Sequence, residues 1–151
     1  RQLELWDAAI RQENMDSMAA IYAPNYEDVQ GWQAQYALRA YQWFFEHYNA
    51  CAMAKQIRRW DFSNFEGARR VGVLLYTRIQ GFAISDPTGR FADRPVQFPR
   101  TSSCEIWVYF ERQDQTWRII KTDPALPNLK DILLESASPY DHLEPGPDLL
   151  P

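Results

Sequence analysis

Arg78, in Tyr76-Thr77-Arg78, is the side chain with most to offer a ligand. A guanidinium facing inward from a strand is costly to bury unless an anion or a carboxylate pairs with it. Strand parity decides its role: Arg78 shares a face with Leu74, Tyr76 and Gln80, opposite Val73, Leu75 and Ile79, and a single bulge exchanges the two sets. Pocket and subunit-interface placements are both open. Asp123 follows the last strand within reach of a pocket mouth, although an acid before Pro124 also serves a turn. His47 and His142 are widely separated and no Cys or His cluster accompanies them, so no metal site is expected. Nucleophilic triads and glycine-rich phosphate loops are missing too, and no cofactor is expected. Cys51 and Cys104 can bridge only if their Cα atoms come within about 7 Å. Free thiols are the expectation.

Three helical patterns precede every strand pattern, an α+β layout. Leu3, Trp6 and Ile10 recur at helical spacing. Asn14 caps a second helix over residues 15–22 that Pro24 terminates. Gly31 precedes a third helix from Trp32 to Tyr48, with a polar stripe at Gln35, Arg39, Gln42, Glu46 and Asn49. Strand alternation begins only after residue 54. It runs over Lys55–Phe65 around Trp60 and Phe62, over Arg69–Ile84, over Thr101–Phe110, and again at Trp117-Arg118-Ile119-Ile120 after a charged hairpin tip. Residues 69–84 at about 3.3 Å each would span about 50 Å, against a diameter of about 40 Å for a compact domain of this length. That strand must bend, and Gly72 and Gly81 are the expected bulge sites. Residues 85–99 read as a long hairpin connection, and Asn128 caps a brief helix through Leu129, Ile132 and Leu133. One domain over residues 1–135 and a Pro- and acid-rich tail over 136–151 follow.

Composition narrows the partners. A net charge of −4 and a pI near 5.2 argue against nucleic acid, which needs a concentrated basic surface. The longest apolar run, around Val73–Tyr76, is far below the roughly 18 residues of a membrane span. Aromatics reach 15% of the chain, a surplus that suits pocket walls and interfaces. Trp107 and Tyr109 share one strand face with Glu105 and Glu111, so a homodimer made through the sheet is expected, with Glu105, Trp107 and Tyr109 as interface residues. The start at Arg1 permits a processed or truncated protein, a bacterial envelope protein among the options, and localisation stays open.

Ile21-Tyr22-Ala23-Pro24 at the end of the second helix, Gly31 opening the third, and Thr116-Trp117-Arg118-Ile119-Ile120 after the last tip resemble the nuclear transport factor 2-like (SnoaL-like) superfamily over residues 3–125. That resemblance implies a cone: helices wrapped by a strongly curved, mostly antiparallel sheet. Pro99-Arg100-Thr101-Ser102, Glu105, Arg112, Asp114 and Trp117 are similar to the association domain of calcium/calmodulin-dependent protein kinase II. Arg78 matches a pocket arginine of that domain, and Val108 stands where it has a second. The cone implies a pocket for a small molecule or peptide, with Trp6, Tyr22, Tyr36, Arg78 and Asp123 as candidate ligand-binding residues.

The superfamily also includes polyketide cyclases, ketosteroid isomerases, scytalone dehydratases and limonene epoxide hydrolases. Glu27-Asp28 resembles the segment carrying the isomerases' general base, which makes Asp28 the candidate catalytic acid or base. The isomerases' oxyanion-stabilising tyrosine falls at Trp6, a weaker acid, and Gln80 stands where the epoxide hydrolases have an acid. The expected function is therefore a non-catalytic binding and oligomerisation module, with a cofactor-independent cyclase, isomerase or dehydratase using Asp28 as the alternative.

Overall fold

Trp6, Ala9 and Ile10 point one way from α1 (Gln2–Arg11) and are buried, as their spacing requires. The structure, a computed structural model, describes residues 1–29, 31–62, 69–84, 94–98 and 105–123. Asn14 caps α2 (Met15–Ile21) by accepting the Ser17 N–H at 3.1 Å, a contact worth about 1 kcal/mol. The chain turns extended at Tyr22, two residues ahead of Pro24. α3 (Ala34–His47) starts after an extended Gln33 rather than at Trp32. It exposes Gln35, Arg39, Gln42 and Glu46 while burying Ala37, Ala40, Tyr41 and Phe44.

The first strand begins earlier than its alternation indicates. β1 (Tyr48–Asp61) follows α3 directly and starts at Tyr48, not Lys55. A bulge between Asn49 and Ala52, with Ala50 at φ 51°, breaks the period of two, so Tyr48, Cys51 and Met53 are all buried. A second bulge between Ile57 and Arg59 shifts parity again. The bulges expected at Gly72 and Gly81 of β2 (Arg70–Ala83) are therefore on its partner β1: the pairing of β2 with its neighbours steps through Gly72 regularly and shows no extra β2 residue. The glycines allow close approach: a Cβ on Gly81 would lie 2.7 Å from Tyr48 Cβ, and one on Gly72 3.1 Å from the Tyr109 ring.

Val96–Phe98, inside the expected connection over 85–99, forms a short strand β3 on β2. β4 (Glu105–Gln113) and β5 (Thr116–Asp123) complete an antiparallel sheet of order β1-β2-β4-β5, with β3 beside β2. Their hairpin turns on Asp114 and Gln115, both at positive φ (49° and 66°), as a two-residue primed turn demands. β5 carries an extra residue opposite Tyr109 and Phe110, and its outer edge is covered where Ala23 and Glu27 donate to the Ile119 and Ile120 carbonyls at 2.9 and 3.1 Å.

The sheet curves over the helices, and its inner residues Val73, Leu75, Ile79, Ile106, Val108 and Ile119 form the core with them. Phe44 stacks on Tyr48 at 4.8 Å and meets Phe98 edge-on at 5.9 Å. Among the described residues, no helix is long and apolar enough to cross a membrane. The expected turn at 86–89, the helix after Asn128, the kinase-like Pro99–Ser102 segment and Cys104 lie outside the described residues.

Candidate functional site

A groove of about 670 Å³ opens where the inner face of the sheet runs beyond the first turn of α1. One wall is the far end of β1. The second bulge turns both Ile57 and Trp60 inward, and Phe62 follows with its ring stacked 6.0 Å from that of Trp60. These three remain 43%, 50% and 58% exposed. The helices end short of them, which no local pattern reveals. Val71, Val73 and Phe110 form the floor, Trp117 stands across from β1, and Leu3 and Leu5 of α1 close the side. Among the described residues, Arg1 is the one ionisable side chain lining this groove, with Gln2, Gln115 and Thr116 as its polar rim. Among the described residues no group of His, Cys, Asp or Glu could hold a metal ion.

The expected site residues are not gathered there. Trp6 and Tyr22 are buried, 2% and 6% exposed, in the core behind the groove. Trp6 Nε1 donates to the Tyr41 hydroxyl at 3.1 Å, and the Tyr22 hydroxyl also hydrogen-bonds Tyr41, joining all three helical segments. Tyr36 lies on the exposed side of α3, beside Trp32 and beneath the Arg39 guanidinium. Arg78 falls on the outer face, because β2 has no bulge to exchange its parity, and its Nη1 donates to Gln97 Oε1 at 3.1 Å. Asp123 pairs with Trp107 on that same outer face.

Asp28 is buried and shapes the turn into α3. Its Oδ1 accepts the Trp32 N–H at 2.9 Å, its own N–H donates to the Trp32 carbonyl at 3.0 Å, and its carbonyl accepts from Gly31 at 3.0 Å. Gly31 supplies the positive φ of 85° that this turn needs. Nearby, the Tyr26 and Thr122 hydroxyls bond at 2.8 Å. Cys51 is a buried free thiol whose Sγ donates to Glu13 Oε1 at 3.3 Å, and burial pushes its ionisation up, away from nucleophile chemistry.

Burial likewise pushes Tyr41 up to about 12 and raises Tyr22 and Tyr26 above the usual 10.0. A raised folded value means the neutral form is favoured in the fold, so the stabilisation is complete below about pH 10 and is lost as pH rises through about 12. Tyrosinate absorbance followed with circular dichroism is expected to show these three of the eight tyrosines ionising only as structure is lost. Ionisation of all eight near pH 10 in the folded protein would contradict the buried network.

The outer face carries an aromatic strip. Trp107 and Tyr109 stack at 6.1 Å, and Glu105 precedes them on β4. The Arg59 guanidinium lies 5.3 Å from the Trp107 ring, the Lys121 ammonium 5.9 Å from that of Tyr109, and the Arg58 guanidinium 5.3 Å from that of Tyr76.

Helices followed by a curved antiparallel sheet, with a hollow at one end, define the α+β cone. The fold is the nuclear transport factor 2-like, SnoaL-like one, and similar solved structures agree. A protein assigned as a scytalone dehydratase from Novosphingobium aromaticivorans is similar at TM-score 0.61 and 9% identity, over 81% of this chain and 76% of that one. A hexachlorocyclohexane dehydrochlorinase, LinA type 2, is similar at TM-score 0.53 and 13% identity, over 80% and 77%. A protein assigned as a calcium/calmodulin-dependent protein kinase II association domain from Xanthomonas campestris is similar at TM-score 0.50 and 16% identity, over 80% and 79%. No protein-family model and no curated protein sequence matches the chain.

Proposed function

We propose that this chain is a non-catalytic binding and assembly module. Its groove takes an apolar small molecule or the apolar side chains of a peptide, and its outer sheet face forms a homodimer. The observation that carries this is the lining of the groove: exposed Ile57, Trp60 and Phe62 over an apolar floor, with no carboxylate or imidazole among the described residues that line it. Proton transfer needs an ionisable group within hydrogen-bond reach of the reacting atom, and among the described residues lining the groove the one such group is a guanidinium. Burying a large apolar side chain stabilises by about 1.5–3 kcal/mol, so the half-exposed Trp60 and Phe62 each keep about 1 kcal/mol for a ligand.

A thermal-shift screen of apolar small molecules tests the reading. Compounds that stabilise the parent protein are expected to bind Trp60→Ala about tenfold more weakly and to bind Asp28→Asn and Arg78→Ala unchanged. Equal binding to the parent and Trp60→Ala would remove the groove from the account. The alternative, a cyclase, isomerase or dehydratase using Asp28, draws on the burial of that carboxylate, and selective loss in Asp28→Asn would favour it.

The dimer rests on the stacked Trp107 and Tyr109, flanked by Glu105, on a sheet face with no described element across it. Trp107→Glu is expected to convert a dimer to a monomer in sedimentation equilibrium. A parent protein that is monomeric at high micromolar concentration would refute the interface.

A further inference from the structure

β1 is an edge strand, and its far half is open along the edge and on both faces. We infer that an extended peptide of a partner protein adds to this edge as a further strand, with apolar residues toward the groove alternating with acidic residues toward the outer face. This rests on the groove being a binding site and narrows its occupant to a peptide. In such an addition the main-chain ladder supplies affinity and the alternate side chains supply specificity.

Among the described residues β1 pairs with β2 alone, so its other edge presents backbone N–H and C=O groups that no strand takes up. The opposite edge of the sheet differs, because Ala23 and Glu27 cover β5 there. Lys55 is tied to Asp7 of α1 at 3.0 Å, and from Gln56 to Trp60 every residue is exposed. A strand covered on one face would alternate buried with exposed, so this stretch is uncovered on both. Ile57 and Trp60 face the groove, and inward side chains of an added strand would lie about 4.8 Å beyond them, against their open surfaces.

Charge selects the peptide. Arg58 and Arg59 project to the outer face, each guanidinium 5.3 Å from a ring, that of Tyr76 or Trp107. Among the described residues neither has a carboxylate partner, and Asp61 is the one acid in β1. A ring contact at an exposed site is weak, so acids at the outward positions of an added strand meet two available cations. A second copy of this chain fits less well. Two β1 edges side by side would set Arg58 and Arg59 against their own kind, and the bulge between Ile57 and Arg59 twists this end away from a rigid neighbouring sheet. A free peptide follows that twist.

The probes are short fluorescein-labelled peptides, read by anisotropy against the full chain: one alternating leucine with glutamate, one alternating leucine with lysine, and the first with its backbone amides methylated. The leucine–glutamate peptide is expected to bind at least about tenfold more tightly than either of the others. Arg58→Glu/Arg59→Glu should reverse the preference between glutamate and lysine, and Trp60→Ala should weaken the leucine–glutamate peptide about tenfold. All three positions are exposed, so these variants keep the fold. On binding, the amides from Gln56 to Trp60 should gain protection from hydrogen exchange. Equal binding of the methylated peptide overturns strand addition, and if Trp60→Ala still weakens that binding the groove survives without it. Equal binding of the lysine peptide overturns the acidic partner. Apolar compounds that bind the groove while no peptide binds remove this inference alone, whereas binding of neither removes the groove as well. Self-association that protects the same amides without peptide would give the edge to a second copy and overturn the proposal.

Discussion

Trp6→Ala is expected to lower the unfolding free energy by about 3–5 kcal/mol, the range for deleting a buried aromatic. Two effects add. The indole is 2% exposed and touches the core from α1, so its removal leaves a void that the surrounding helices and sheet cannot fully close. Its Nε1 also donates to the Tyr41 hydroxyl, a fully buried group that would lose a partner. Trp6→Phe keeps most of the volume and loses only the donor, with an expected cost of about 1–2 kcal/mol. Urea denaturation followed by circular dichroism measures both. A loss below about 1 kcal/mol for Trp6→Ala would mean that the indole lies at the surface or in an open pocket.

Gly81→Val should cost about 3 kcal/mol, at the upper end of the range for overpacking. The first added carbon would already lie 2.7 Å from Tyr48 Cβ and 3.1 Å from Phe44 Cζ. Tyr48 Cβ is fixed to the backbone of β1, so no rotamer change relieves the contact. The strand pair must separate just where α3 passes into β1. Thermal unfolding of Gly81→Val and Gly81→Ala should rank the valine variant lower, and parental stability for both would show the two strands farther apart than described.

The helices and their covered faces were legible because each rests on local periodicity. Gln35, Arg39, Gln42 and Glu46 appear as a polar stripe in sequence and as an exposed edge in the fold. The cap at Asn14 and the hairpin tip at Asp114 were local as well. The bulges were not. In β1 the extra residues fall at Ala50 and beside Arg58, neither of them a glycine, and they move Cys51, Met53 and Trp60 to the inner face out of step with any alternation. The unbroken parity of β2 is equally a property of its partners, and it settled Arg78 outward. The groove was hidden for a related reason. Trp60 and Phe62 have the composition of core residues, and only the end of helical cover over the sheet leaves them open.

Asp28 illustrates how a site residue and a structural one share a sequence signature. An acid a few residues before a helix can act as a base or bond the turn, and here its Oδ1 is committed to the Trp32 N–H.

The most direct test of the binding account is a heteronuclear magnetic resonance titration of the isotope-labelled protein with a compound from the apolar screen. The groove account predicts shift changes concentrated at Ile57, Trp60, Val71, Phe110 and Trp117, with the first turn of α1. Changes centred instead on Tyr22, Tyr26 and Asp28 would contradict it.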